Sequence, residues 1–155
     1  MFDKLFHDFD RVSRHMAAIK CPQGWRPTLH APNTLAELKE TVNDHGIIPV
    51  SRDFSEHTIY DDPAGNWAFR AWHDATHLAI DGEFDRAGEL AVFREQCADM
   101  RDRWPAFIPW SEEHFAMMVN IIRCEIVGQF DYNETYGDYP QYQRKFTTDY
   151  LMGEY

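Results

Sequence analysis

A chain of 155 residues, 44% hydrophobic and 15% aromatic, has ample apolar surface for one buried core and too little length for two comfortable domains. Its formal net charge of −11, from 15 Lys and Arg against 26 Asp and Glu, argues against general attraction to nucleic-acid phosphates or anionic lipid. Three cysteines, Cys21, Cys97 and Cys124, lie far apart without a CxxC pair, which excludes a zinc ribbon or a disulfide scaffold and suits a reducing cytoplasm.

The opening stretch MFDKLFHDFDRVSRHM alternates apolar and charged residues, unlike a secretory signal. Phe2, Leu5, Phe6, Phe9, Val12, Met16 and Ile19 recur at helical spacing, so residues 2–20 are predicted to form an amphipathic helix. CPQGWRPTLHAPN then breaks it with prolines and a glycine. A shorter helix is expected after a capping Asn33, with Leu35, Leu38 and Val42 inward and a stop at Gly46. Residues 46–65 carry turn formers and one brief β-branched run, giving a long irregular connection with at most one short strand. Asn66 is the expected cap of a third helix to about residue 80. Asp85 is the expected cap of a fourth to Trp104, and Ser111 of a fifth, long one to about Tyr132. A last short helix covers QYQRKFTTDYL. No run reaches the ~18 apolar residues of a membrane span. The prediction is an all-α, single-domain bundle of five or six helices.

Polar residues on the apolar stripes carry the functional signal, because a buried polar group needs a partner or a task. On the third helix Phe69, His73, His77 and Ile80 share a face. On the fourth the stripe is Glu89, Phe93, Gln96 and Met100, and on the fifth Phe115, Met118, Ile122, Glu125 and Gln129. Three successive helices thus aim polar groups inward. Histidines at i and i+4 can present two ring nitrogens to one ion, and a carboxylate from a neighbouring helix can complete the set. His73, His77 and Glu125 are the expected ligands of a divalent cation of zinc, manganese or iron type. Asp74 is a further ligand or orienter, and Glu89 a general base or additional ligand. Gln96 and Gln129 are expected to orient the ligands by hydrogen bonding. Arg70 is placed to contact an anionic substrate, or to pair with Asp74 at i+4. The alternative without a metal is a buried network of imidazole and carboxylate. His57 and His45 are further imidazoles without partners at ligand spacing, and the Tyr-rich segment FDYNETYGDYPQYQRKF reads as packing or an interface.

His73-Asp74-x-x-His77 in WHDATHL resembles the central motif of the HD-domain metal-dependent phosphohydrolases. That resemblance implies an all-α fold in which a His-Asp pair, an earlier His and a later Asp hold one or two divalent cations that activate water against a phosphate ester. Asp131 is a candidate for the later aspartate, beside Glu125 on the inward stripe. The same residues are similar to the zinc-peptidase HExxH with Asp for Glu, and HDATHLAIDG to a peptide deformylase motif. Ferritin-like di-iron bundles gather the same residue types, though the Glu-x-x-His pairs of that family are missing. The leading expectation is a metal-dependent hydrolase of phosphohydrolase type, acting on a small anionic substrate such as a nucleotide. The alternatives are a non-haem iron oxidase or oxygenase, and a non-enzymatic acidic binding or inhibitor protein for a basic partner, in composition similar to phage accessory proteins.

Overall fold

The computed structural model describes residues 2–104 and 111–155. Helix α1 (Asp3–Lys20) buries Phe6, Phe9, Val12 and Met16, the stripe expected from their spacing. Strand β1 (Trp25–Thr28) follows, then α2 (Leu35–His45) and strand β2 (Ile48–Ser51). The two strands pair in parallel, Trp25 opposite Ile48 and Thr28 opposite Ser51, with α2 as the crossover between them. The remaining helices are α3 (Pro63–Ile80), α4 (Arg86–Arg103), α5 (Glu112–Arg123), α6 (Gln129–Tyr136) and α7 (Gln143–Leu151). A π-helical turn, Cys124–Gly128, joins α5 to α6, so that the described residues form six helical rods. The fold is the all-α helical bundle the periodicity predicts.

Several boundaries move for local chemical reasons. The cap of α2 is Thr34, whose hydroxyl accepts from Glu37 N at 3.1 Å, while Asn33 N donates to the Glu37 carboxylate at 2.8 Å. The cap of α3 is Asp62, which accepts from Gly65 N at 3.1 Å ahead of Pro63 in the first turn. Asn66, expected there, is instead buried inside the helix and donates to Ser55 Oγ at 3.2 Å. The caps Asp85 and Ser111 stand where expected. Strand β1 lies in the stretch expected to be a simple break, since four residues are too few to show a period. The end of α4 is described only to Trp104, and the expected stop at Pro105 lies outside the described residues.

Helix α3 is the axis of the molecule. Its Phe69 sits 5.7 Å from Phe9 and 6.0 Å from Tyr60 between ring centroids, and meets Trp72 edge-on at 6.1 Å. Val92 and Met100 of α4, and Met118, Ile121 and Ile122 of α5, complete the same core. The contact of α1 with the start of α3 depends on a glycine. A Cβ on Gly65 would fall 1.7 Å from Asp10 Oδ1, and the buried Asp10 is held by Arg14, which also reaches Asp62 at 2.7 Å.

Candidate metal centre

On α3 the four-residue spacing stacks His73 and His77 on one face, and their Nε2 atoms stand 3.0 Å apart. Glu89 arrives from the first turn of α4, where the helix dipole favours its negative charge. Its carboxylate straddles the imidazoles, Oε2 3.3 Å from His73 Nε2 and Oε1 3.4 Å from His77 Nε2. These three side chains form the one cluster of three or more potential ligand groups among the described residues. The cluster could hold a metal ion.

The orientation of both rings is fixed from behind. His77 is fully buried, and its Nδ1–H donates to Gly82 O at 2.7 Å, leaving Nε2 as the free lone pair. The carbonyl is presented there because Asp81 ends α3 in the left-handed region at φ 59° and turns the chain back. On the other ring, His73 Nδ1 faces Gln96 Oε1 at 3.3 Å and donates to it. Phe84 closes the edge of His77 at 4.6 Å, and Phe69 stacks on His73 at 6.3 Å. Neither ring is free to swing.

Left to themselves, the three groups behave as an ion pair. Burial disfavours a charge on His73, yet the facing Glu89 carboxylate overrides it and lifts the imidazole to about 9. Burial would likewise raise Glu89, but the charge and hydrogen bonds of the histidines bring it down to about 2. Asp74, directly beside His73, is pushed up to about 6 by burial, against the pull of His73 and His77.

The cluster stands in the wall of a cavity of about 700 Å³ that Arg70, Asp74, Glu125 and Gln129 also line. The structure therefore brings most of the expected site residues to one space, in modified roles. Glu89, expected as a base or further ligand, is the carboxylate that meets both imidazoles. Glu125 is buried in the same cavity wall but outside the cluster. Its Oε1 accepts from Thr147 at 3.0 Å and its Oε2 from Tyr60 at 3.3 Å, and burial lifts its carboxyl to about 7. Gln96 has the expected orienting contact. Gln129 lies on the inward stripe, where its buried side chain interacts with the Glu125 carboxylate. Arg70 does not pair with Asp74; its Nη1 donates to the carbonyls of Ser51 at 2.5 Å and Asp53 at 2.7 Å. Asp74 has no hydrogen-bond partner among the described residues and faces the cavity.

Other expected contributors lie elsewhere. His57 is exposed and stacks on Tyr142 at 5.4 Å, and the His45 side chain lies outside the described part of the structure. Asp131 is tied on the surface to Arg86 at 3.0 Å. Sequence reasoning missed Gly82 as the anchor of His77, although an Asp-Gly pair after a helical stripe is a recognisable turn. It also missed Tyr60 and Thr147, whose hydroxyls hold Glu125 from segments with no periodic signal.

No protein-family model matches the chain, and neither does any curated protein or solved structure with which it was compared. Among the described residues no helix is long and apolar enough to cross a membrane.

Proposed function

We propose that the protein is a metal-dependent hydrolase in which His73, His77 and Glu89 hold one divalent cation and the cavity admits a small anionic substrate. The observation that carries this reading is the convergence of three ligand groups, two of them locked from behind, in the wall of an accessible cavity. A tetrahedral ion with bonds of ~2.0–2.1 Å spaces its ligand atoms ~3.3 Å apart. The two imidazole nitrogens here are 3.0 Å apart, each lies 3.3–3.4 Å from a different oxygen of Glu89, and one ligand atom from each residue falls within 4.8 Å of the others, so a small adjustment of the carboxylate brings the set to that spacing. Two imidazoles and one carboxylate would supply three protein ligands, the number found in catalytic rather than structural zinc-type sites, with the remaining position left to water or substrate.

The ion supplies a Lewis acid that activates water near neutral pH. Asp74, in the same cavity and without a hydrogen bond of its own, would accept the proton from the attacking water and return it to the leaving oxygen. Arg70, fixed by two carbonyls, offers its remaining N–H groups to an anionic group of the substrate. The resemblance of His73-Asp74-x-x-His77 to the HD-domain motif supports a phosphate ester as the bond cleaved. Protein purified without a histidine tag is expected to carry about one divalent metal per chain by mass spectrometry. His73→Ala and Glu89→Gln should each lower its affinity for added zinc or manganese by tenfold or more (~10–100-fold). A folded chain that takes up no divalent metal would overturn the proposal.

A second reading has its own observation. Two histidines and one carboxylate with open positions is also the ligand set of non-haem iron oxygenases. Anaerobic loading with ferrous iron followed by oxygen separates the two, since a hydrolase site should give no oxygen-dependent absorbance change.

A further inference from the structure

Two aromatic side chains at the rim of the cavity have no task in the hydrolytic reading. Phe54, in the connection after β2, and Tyr139, between α6 and α7, are 39% and 44% exposed, yet their rings meet in a tilted contact, 6.3 Å between centroids at 53°. Both line the cavity that His73, His77 and Glu89 line. Phe54 also holds φ 54°, a left-handed backbone that is unfavourable for a bulky residue and that glycine would adopt freely. A residue strained and exposed at once is not there to fill a core.

The rim is also registered against the floor. Asp53, next to Phe54 in the chain, gives its carbonyl to Arg70, so one tether sets the guanidinium and the aromatic ring relative to each other. On the other side, Tyr139 lines the same cavity as Arg70 and Glu89. Gln129 and Asn133 also line the cavity. The Gln129 side chain is only 8% exposed and also interacts with the Glu125 carboxylate.

We propose that Phe54 and Tyr139 form a stacking slot for a planar heteroaromatic ring, so that the substrate is a ring-bearing phosphate of the nucleoside monophosphate class. This rests on the hydrolase reading for the fate of the phosphate, but not for ring binding itself. A ring inserted between two others needs ~7 Å, twice the carbon contact distance. The two rings now pack against each other, tilted by 53° with centroids 6.3 Å apart, so the slot is closed in this structure and opens when the half-exposed side chains rotate towards parallel. Stacking tolerates any base, while amides at the ring edge would select among bases by hydrogen bonding.

The test is calorimetric titration of the tag-free protein with the four common nucleoside 5′-monophosphates, ribose 5-phosphate and inorganic phosphate. At least one monophosphate should bind about tenfold or more tighter than ribose 5-phosphate. Phe54→Ala and Tyr139→Ala should each remove that preference, and Tyr139→Phe should keep it, with metal content and thermal midpoint unchanged in all three. Equal binding of ribose 5-phosphate and every monophosphate overturns the slot, as does a preference that survives both alanine variants. A metal-loaded protein without the preference sinks the slot alone. A ring preference in a chain that binds no metal supports the slot and sinks the hydrolase.

Discussion

His77 presents Nε2 to the cavity because its other ring nitrogen is committed to Gly82 O, and His73 is set the same way by Gln96. Two basic nitrogens 3.0 Å apart must share something positive, a proton or a metal. The competition has a calculable direction. The folded-state value of His73 is lifted from 6.5 to about 9 by Glu89, so without metal the pair stabilises the fold fully below 6.5. That contribution is lost as the pH rises through about 9. Glu89, lowered from 4.5 to about 2, contributes above 4.5 and loses its contribution as the pH falls through about 2. Chelator-treated protein should therefore lose stability on the order of 2 kcal/mol between pH 6.5 and 9, while metal-saturated protein should not. Urea unfolding at a series of pH values reads this directly. A flat profile for the chelated chain would mean that the imidazoles hold no shared proton.

At the scale of elements, the site depends on how α4 and α5 are started and interrupted. Glu89 can reach α3 only because Gly88 lets the first turn of α4 lie against the preceding chain. A Cβ there would stand 1.8 Å from Glu83 O, a backbone atom that cannot rotate away. Gly88→Ala should destabilise the protein by ~1–3 kcal/mol and weaken metal binding by moving Glu89, both measurable on one purified sample. The π turn at Cys124–Gly128 has a comparable effect on α5. It inserts an extra residue into the helix and places Glu125 between the hydroxyls of Tyr60 and Thr147. The folded chain keeps the Glu125 proton up to about 7, whereas the unfolded chain releases it near 4.5. The unfolded state therefore binds fewer protons in that window, and Glu125 costs stability as the pH rises from 4.5 to about 7. Glu125→Gln should accordingly stabilise the fold on the order of 1–3 kcal/mol at pH 8, by denaturant midpoint, and leave metal affinity unchanged. Lower stability at pH 8 would show that the ionised carboxylate is needed where it lies. The same turn explains what the sequence could and could not tell. His73, His77, Glu89 and Gln96 were legible, because regular helices keep a 3.6-residue period and buried polar groups stand out against it. Glu125 was legible as buried but not as separate from the cluster. Counting 3.6 residues through a π turn misplaces later side chains by up to about 100°. Strands β1 and β2, at four residues each, are too short to show alternation.

For the whole molecule, the candidate ion site joins α3, the axis of the core, to α4, so an ion bound there would couple its binding to global stability. The −11 net charge acts in the opposite sense, since self-repulsion of an acidic chain opposes compaction. The exposed ion pairs, such as Arg86–Asp131 and Arg101–Glu112, offset little of it, because solvent screens each of them. A divalent cation bound only by the folded state both removes local repulsion and adds free energy by mass action, ~2.7 kcal/mol at a hundred times its dissociation constant. For a chain of this size that corresponds to a rise in Tm of about 5–10 °C. Differential scanning fluorimetry of chelated protein titrated with zinc or manganese should show this rise saturating at one equivalent. Magnesium at the same concentration should give a smaller rise, because it binds imidazole poorly and favours all-oxygen sites. His73→Ala and Glu89→Gln should abolish the zinc-dependent rise, and Asp74→Asn, outside the ligand cluster, should retain most of it. A zinc-dependent rise of equal size in His73→Ala would assign the stabilising ion to another part of the acidic surface and remove the centre from α3 and α4.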